Sequence, residues 1–456
     1  MIISESVSVI KQSAPSGATV ATRSGGAERS GEGLPLGNIA KTYSPDSPAD
    51  GFDPETGEIT APNPQLARAT RWALKSVVNK LLPESKTSKC MVLRAPVAGQ
   101  ILGDIQIMKG VHNKAFYQGL LVCSRLWTCP VCAAKIAERR RQELKEAIAA
   151  AIVKGMRVHF VTLTVPHYQG DDIKLMNDRL SKALKRLSQG KYSVKSQLKA
   201  MCPETEIYGY IRAFEVTHTE NGFNPHFHIL LFTSGDVHAS AINYVYGKAW
   251  QRACRLSDLP EPSLEHGCTV QDGSEAAKYA SKWGLEDEMT KGHTKKTRRK
   301  GATPWGLLRA VLDGDDPDYT PERASGLFKV YAKAFHGRRQ LYWSNGLRAL
   351  LELSKELTDE ELAAKAEDER ASVLATITVG QWRAIRRLNQ EAHLLTVAED
   401  APSLLASIIE RLGAQPPEGR AQPPARVSRG PLRGANHGTE GGEHDRSIPP
   451  LDGSPG

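Results

Sequence analysis

The stretch EVTHTENGFNPHFHIL, residues 215–230, decides the fold, because it has the pattern of two strands joined by a tight turn. Asn221-Gly222 is the strongest short-range signal for a two-residue hairpin turn. With that turn, Glu215 lies directly opposite His228, and Thr217 lies opposite His226. The sequence therefore predicts a β-hairpin with its turn at residues 221–222.

One face of this hairpin carries a carboxylate and two imidazoles. Side chains alternate between the faces of a strand, so His226 and His228 share a face with Glu215. This donor set suits Mn²⁺ or Mg²⁺ shared with a substrate oxygen, or else Zn²⁺. Pro225 lacks an N–H, so a wider loop is compatible, and any even loop keeps the same faces. The competing interpretation is a pair of half-exposed sheet histidines without a ligand.

Strand and helix patterns surround the hairpin in a mixed order. Residues 158–165 read as a β-branched strand, residues 171–187 as a helix, and residues 207–217 and 226–232 as two further strands. This order predicts an α+β fold with an antiparallel central sheet flanked by helices.

Composition divides the chain into six predicted segments. Both ends are rich in Gly, Pro and Ser, so 1–63 and 413–456 are predicted to be disordered. Between them we expect a basic helix with a Cys-rich subdomain (64–145), the sheet core (146–290), a basic region with the end of the core (291–355), and a helical region (356–412). Capping boxes at Thr358 and Thr378 open helices in that last region.

Charge and cysteine content exclude several classes of protein. The chain has 60 Lys+Arg against 51 Asp+Glu, a net charge of +9, and an odd number of cysteines, seven. These values exclude a small disulfide scaffold and are compatible with a phosphate-bearing partner. There is no signal peptide or apolar run long enough for a membrane, so we expect a cytoplasmic, bacterial location.

Three cysteines are closely spaced, at Cys123, Cys129 and Cys132. Thiols two residues apart on a knuckle are a common half of a tetrahedral zinc site. Cys90 is the preferred fourth ligand, with His112 as its substitute. The sequence therefore predicts a structural Zn²⁺ site in the Cys-rich subdomain.

A helix of small residues follows the hairpin and places Glu275, Tyr279 and Lys282 on one face. A phenol is a weak nucleophile at neutral pH unless a cation and a metal assist it. With that help, the chemistry that suits Tyr279 is transesterification of a phosphodiester. From spacing alone, an aromatic ring at a helix–sheet contact is the simpler interpretation.

Three motifs in order resemble those of plasmid rolling-circle replication initiators of the HUH endonuclease superfamily. They are FVTLT (160–164), the hairpin with His226 and His228, and EAAKYASK (275–282). The similarity is to the single-tyrosine branch and covers about residues 85–355. It implies nicking of plasmid origin DNA, single-stranded or in an extruded hairpin, by Tyr279, which leaves a 5′-phosphotyrosine and a 3′-OH primer. It also implies Glu275 as the base that ends the cycle, and a host helicase and polymerase. Lys282, on the same helix face as Tyr279, is the candidate phosphate or phenolate partner.

Basic residues provide candidate DNA contacts. They lie on the helix after the cysteines and in a run of six cations, with Trp305 after them as a stacking surface or a core anchor. The candidates are Arg139, Arg140, Lys291, Lys295, Lys296, Arg298, Arg299 and Lys300. Two other functions remain open: a relaxase or single-tyrosine transposase with the same chemistry, and a non-catalytic, zinc-stabilised DNA-binding regulator.

Overall fold

The fold is described from a computed structural model, which covers residues 64–96, 103–235, 237–271, 301–364 and 370–414. The predictions for residues 1–63, for residues 415–456 and for the segment 272–300 lie outside these described residues. Among the helices described, none is long and apolar enough to cross a bilayer.

A six-stranded antiparallel sheet forms the centre of the molecule, as the alternation of residues predicts. Its strands are β3 (Arg157–Leu163), β4 (Ile207–Thr219), β5 (Gly222–Thr233), β6 (Cys268–Gln271), β7 (Gly301–Ala302) and β8 (Leu341–Trp343). They run in the order β6-β3-β5-β4-β7, and β8 pairs with another part of β4. The predicted α+β fold with an antiparallel sheet is therefore confirmed.

Helices pack against both faces of the sheet. The helices of the described residues are α1 (Pro64–Leu81), α2 (Lys86–Lys89), α3 (Pro130–Val153), α4 (Ile173–Leu187), α5 (Val194–Met201), α6 (Ala239–Arg255), α7 (Leu264–Gly267), α8 (Pro304–Asp313), α9 (Pro321–Ala334), α10 (Leu347–Leu350), α11 (Asp359–Ala364), α12 (Val379–Arg387), α13 (Glu391–Asp400) and α14 (Leu405–Ala414). A short 3₁₀ turn, Pro402–Leu404, precedes α14.

The two faces of the long hairpin belong to different apolar cores. Phe214 and Phe227 pack into the larger core with Trp250 of α6. Leu230, on the opposite face, packs with Ile148 of α3. The sheet is thus buried on both sides over much of its area, and a polar group on either face must find partners within the protein.

A second, three-stranded antiparallel sheet corrects the prediction for 356–412. Its order is β2-β1-β9, formed by β1 (Ile105–Lys109), β2 (Ala115–Gln118) and β9 (Ser372–Ile377). The region predicted to be helical therefore contains a strand, whose partner β1 lies more than 260 residues earlier. Ile107 of β1 and Trp382 of α12 share a third core, so strands β1 and β2 pack with the C-terminal helices. The four cysteines of the Cys-rich segment lie in the larger core.

Local capping signals are accurate in the C-terminal region. The Thr378 side chain accepts from the Gln381 N–H, and the Gln381 side chain accepts from the Thr378 N–H, which completes the predicted capping box. The box at Thr358 is reciprocated by Glu361. The helix that was predicted to follow the cysteines begins earlier: α3 starts at Pro130 and includes Cys132, because proline is favoured in the first helical turn.

Candidate active site

The register of the β4–β5 hairpin differs by two residues from the prediction. Glu215 lies opposite His226, and His228 lies opposite Ala213. The two-residue loop is 220–221, and Gly222 alone takes a left-handed conformation, with φ +96°. A type I′ turn at 221–222 would need positive φ at both central residues. The shift is even, so Glu215 and both histidines keep the common face.

Three side chains converge on this face. Glu215 Oε2 lies 3.7 Å from His226 Nε2 and 3.8 Å from His228 Nε2. Glu215 and His228 are buried, at 7% and 6% exposed, and His226 is half-buried. Their donor atoms lie within 4.8 Å of one another, a spacing that one cation could bridge. The predicted donor set is therefore brought together.

The remaining ring nitrogens orient both imidazoles toward Glu215. His226 Nδ1 is 3.0 Å from the Asn224 carbonyl oxygen, to which it donates. This bond leaves the lone pair of His226 on Nε2, the atom that faces the carboxylate. His228 Nδ1 is 3.0 Å from Thr162 Oγ1. Such partners fix the tautomer and ring orientation of metal-binding histidines, so the arrangement fits a divalent cation held through both Nε2 atoms.

Two residues of β3 support His228 and were not predicted as site residues. Thr162 is the register partner of His228 across the β3–β5 pair. The Phe160 ring stacks on the His228 imidazole, with centroids 5.0 Å apart and planes at 15°. Alternation in the 160–164 motif places both on one face, and that was the signal available in the sequence.

The predicted catalytic residues of the helix after the hairpin, Glu275, Tyr279 and Lys282, lie outside the described residues. The described chain stops at Gln271 on β6 and resumes at Gly301 on β7, strands near opposite ends of the sheet.

The predicted DNA contact at Arg140 is not supported, because this residue is only 5% exposed. Its guanidinium pairs with Glu356 and Asp359, each at 3.3 Å, and donates to the Leu357 carbonyl oxygen at 2.7 Å. Arg140 therefore joins α3 to the start of α11 and to the segment before it, and is a structural residue.

The other predicted DNA contacts fall into two groups. Arg139 is half-buried and donates to the Leu362 carbonyl oxygen. The six cations of the basic run, between Lys291 and Lys300, lie outside the described residues. Trp305 is 6% exposed and packs in the larger core, so of the two roles predicted for it, core anchor is the one observed.

The four predicted zinc ligands meet in one buried group, the cysteine cluster. It consists of Cys90, Cys123, Cys129 and Cys132. Burial raises the pKa of the Cys129 thiol well above its ordinary value, whereas hydrogen bonds from the neighbouring thiols, first Cys129, lower the pKa of Cys123. His112, the alternative ligand, is exposed and is not part of the cluster.

Comparison with known proteins assigns the chain to a family. The replication protein family, Rep_1, matches residues 118–390, more than half of the chain. "Protein rep" of Streptomyces lividans is 26% identical over 363 residues, which cover 64% of this chain and 79% of that protein. "Protein rep" of Lentilactobacillus hilgardii is 28% identical over 182 residues, or 36% of this chain and 54% of that protein. "Protein rep" of Lactiplantibacillus plantarum is 31% identical over 161 residues, or 33% and 46%. This chain thus spans about half the length of the last two relatives. No solved structure matches. On the extent of the family match, the chain belongs to the Rep_1 family of replication proteins.

Proposed function

We propose that the chain initiates plasmid replication by cutting one strand of origin DNA through a tyrosine nucleophile, in the manner of HUH endonucleases. The observation that carries the proposal is the convergence of Glu215, His226 and His228, with both Nε2 atoms within 3.8 Å of one carboxylate oxygen. The family match to a replication protein and the order of the three sequence motifs support the same conclusion.

The buried carboxylate and imidazoles would hold Mg²⁺ or Mn²⁺. When bound, the cation would polarise a phosphodiester oxygen and offset charge that develops on it. Thr162 and the Asn224 carbonyl hold the two imidazoles in orientation before DNA arrives. Preorganised groups of this kind avoid reorganisation during the reaction.

The covalent step is a transesterification at one phosphorus atom. The Tyr279 Oη–P bond forms as the P–O3′ bond breaks, the phenolic proton leaves, and the 3′ oxygen departs to become a 3′-OH. Lys282 would stabilise the phenolate or the phosphate. Glu275 would later activate the water that ends the cycle. No oxidant or further substrate is needed, and the free 3′-OH is the primer that a host polymerase, aided by a helicase, would extend.

The test is incubation of the full-length protein with end-labelled single-stranded origin DNA and Mn²⁺, followed by a denaturing gel. Wild type should give a shortened upstream fragment that ends in a 3′-OH and a downstream fragment linked to the protein through its 5′ phosphate. Tyr279→Phe should lose the adduct while it binds the DNA nearly as tightly as wild type. EDTA or His228→Ala should abolish cleavage, whereas His266→Ala, at an exposed histidine, should cleave normally.

The outcomes also separate the alternatives. Adduct formation by Tyr279→Phe would exclude this tyrosine as the nucleophile. Tight duplex binding without any metal-dependent break would favour the non-catalytic regulator. Cleavage of transposon ends or a transfer origin in preference to the replication origin would favour a transposase or relaxase.

A further inference from the structure

We propose that the cysteine cluster holds one structural Zn²⁺ ion, and that this ion fastens the loop carrying Trp127 behind the strand of Glu215. The inference goes beyond the proposed nicking function, because strand cleavage requires no ion at the cysteines. It concerns a second metal site with thiolate ligands, on the opposite side of the strand from Glu215.

The sulfur positions match a tetrahedral zinc thiolate. The Sγ atoms of Cys90 and Cys132 are 3.6 Å apart, those of Cys123 and Cys132 are 3.7 Å apart, and those of Cys129 and Cys90 are 3.8 Å apart. Zn–S bonds of about 2.3 Å at tetrahedral angles place neighbouring sulfurs about 3.8 Å apart. A disulfide would need about 2.05 Å. The four thiols are therefore spaced as ligands of one ion.

The protein around the sulfurs suits a negatively charged thiolate group. All four thiols are at most 8% exposed. The Cys123 N–H donates to Cys90 Sγ over 3.4 Å, and Cys129 and Cys132 lie at the N-terminus of the long helix α3. Backbone N–H groups and the positive end of a helix both favour thiolate over thiol.

The backbone beside the thiols is bent in a way that loops without such a constraint rarely adopt. Met91 and Ser124, the residues that directly follow Cys90 and Cys123, have φ of +55° and +54°. Left-handed backbone at residues other than glycine persists where surrounding structure holds it, often at ligand clamps. Bonds from both preceding sulfurs to one ion would supply that constraint.

The loop between Cys123 and Cys129 carries Trp127 into the core beneath the active strand. The Trp127 ring packs against Phe335 at 4.9 Å and against Phe214 at 6.0 Å between centroids. Trp127 Nε1 donates to the Arg338 carbonyl oxygen at 2.6 Å, and the Tyr331 hydroxyl donates to the Trp127 carbonyl oxygen at 2.7 Å. Phe214 directly precedes Glu215 on β4, so an ion that fixes the loop also supports the strand that positions the carboxylate.

Metal analysis of the full-length protein tests the occupant. Wild type purified without chelator should contain about one zinc per chain. Cys129→Ser should contain close to none, whereas Cys202→Ser, at a thiol outside the cluster, should keep it. The Glu215→Ala/His228→Ala double variant should also keep its zinc, which separates this site from the proposed nicking site.

Cobalt substitution covers the case in which Cys129→Ser does not fold. Wild type with Co²⁺ in place of zinc should show thiolate charge-transfer bands and the strong visible absorption of tetrahedral cobalt. Three outcomes would overturn the proposal. They are wild type that is purified without zinc and shows no such bands with Co²⁺, a disulfide within the cluster, and a Cys129→Ser variant that keeps its zinc.

A separate measurement tests the fastening of Trp127. Removal of zinc with 1,10-phenanthroline should lower the Tm of wild type and speed amide hydrogen exchange in β4. The drop in Tm should be smaller in Trp127→Ala, because the connection to β4 is already lost. Equal drops in both proteins, with unchanged exchange in β4, would refute this part of the proposal.

Discussion

Replacement of Thr162 by valine tests whether the hydrogen bond to His228 prepares the site for a cation. Valine keeps the β-branched shape that suits a strand and removes the hydroxyl. Thr162 Oγ1 lies 3.0 Å from His228 Nδ1, and His228 is 6% exposed, so water replaces the lost partner poorly. The substitution therefore acts on the orientation and tautomer of one ligand.

Two independent estimates of the effect agree. The loss of a hydrogen-bond partner by a buried polar group costs about 1–3 kcal/mol, which corresponds to about 5–150-fold in an equilibrium constant at 1.4 kcal/mol per factor of ten. Changes to the partners of metal-binding histidines commonly lower metal affinity by about 10–100-fold. We expect the Kd of Thr162→Val for Mn²⁺ to rise within that second range.

The measurement is a Mn²⁺ titration of the full-length protein by electron paramagnetic resonance, with DNA cleavage measured over the same concentrations. Mn²⁺ prefers oxygen and imidazole to thiolate, so the cysteine cluster should not contribute. Saturating Mn²⁺ should restore cleavage by Thr162→Val to nearly the wild-type rate.

Thr269→Val is the matched control. Thr269 is the register partner of Thr162 on the neighbouring strand β6 and is exposed. The same chemical change there should leave Mn²⁺ affinity unchanged. Wild-type affinity in Thr162→Val, or an equal loss in Thr269→Val, would refute the orienting role of this hydroxyl.

Three other substitutions probe a buried carboxyl, the hairpin turn and a buried arginine. Burial raises the pKa of Glu391 to about 7 from an ordinary value of 4.5. The folded state therefore holds this proton more tightly than the unfolded state. The free energy of unfolding of wild type, relative to Glu391→Gln, should be highest below pH 4.5 and should fall by up to about 3 kcal/mol as the pH rises through 7. Urea unfolding at pH 4.5 and pH 8 measures this, and a pH-independent difference would contradict it. Gly222→Ala should cost about 2–3 kcal/mol in urea unfolding, because φ is +96° and a Cβ would lie 2.8 Å from the Tyr168 carbonyl oxygen. Gly190→Ala, with φ of +69° and no atom within 4 Å, should cost about 1 kcal/mol, and equal losses would exclude the contact as the cause. Arg140→Met should destabilise the protein by about 1–3 kcal/mol, because the Leu357 carbonyl oxygen and Asp359 lose a buried donor while Glu356 keeps its ion pair with Arg339. The salt dependence of DNA binding should stay unchanged, and a slope reduced by about one would instead indicate a phosphate contact.

The shared face of the candidate site was predictable because strand periodicity is robust to small errors in the turn. A shift of two residues changes which histidine opposes Glu215 but leaves all three donors on one side. The turn itself was less predictable. Gly222 meets the carbonyl of Tyr168, a residue more than 50 positions earlier, and local turn preferences contain no information about that contact.

Two errors have a common cause in long-range pairing. Ser372–Ile377 is a short strand with mostly exposed or half-buried residues, and it becomes a strand by pairing with Ile105–Lys109. Arg140 has the sequence environment of a surface arginine, yet Glu356 and Asp359 enclose it. In both cases the deciding partner is more than 200 residues away, where neither periodicity nor composition can register it.

The same long-range pairing sets the smallest unit in which these proposals can be tested. The family match begins at residue 118, so a chain shortened to 118–390 would lack Cys90 and strand β1. Without Cys90 the cysteine cluster keeps three of its four thiols, and without β1 the strand β9 loses the neighbour to which it hydrogen-bonds. The loop that carries Trp127 would then be fastened by fewer thiol ligands, although Trp127 would still pack under the strand of Glu215. We therefore expect the shortened chain to lose zinc and stability together, even though it retains Glu215, His226 and His228, and a failure of that chain to nick DNA would carry no information about those three residues.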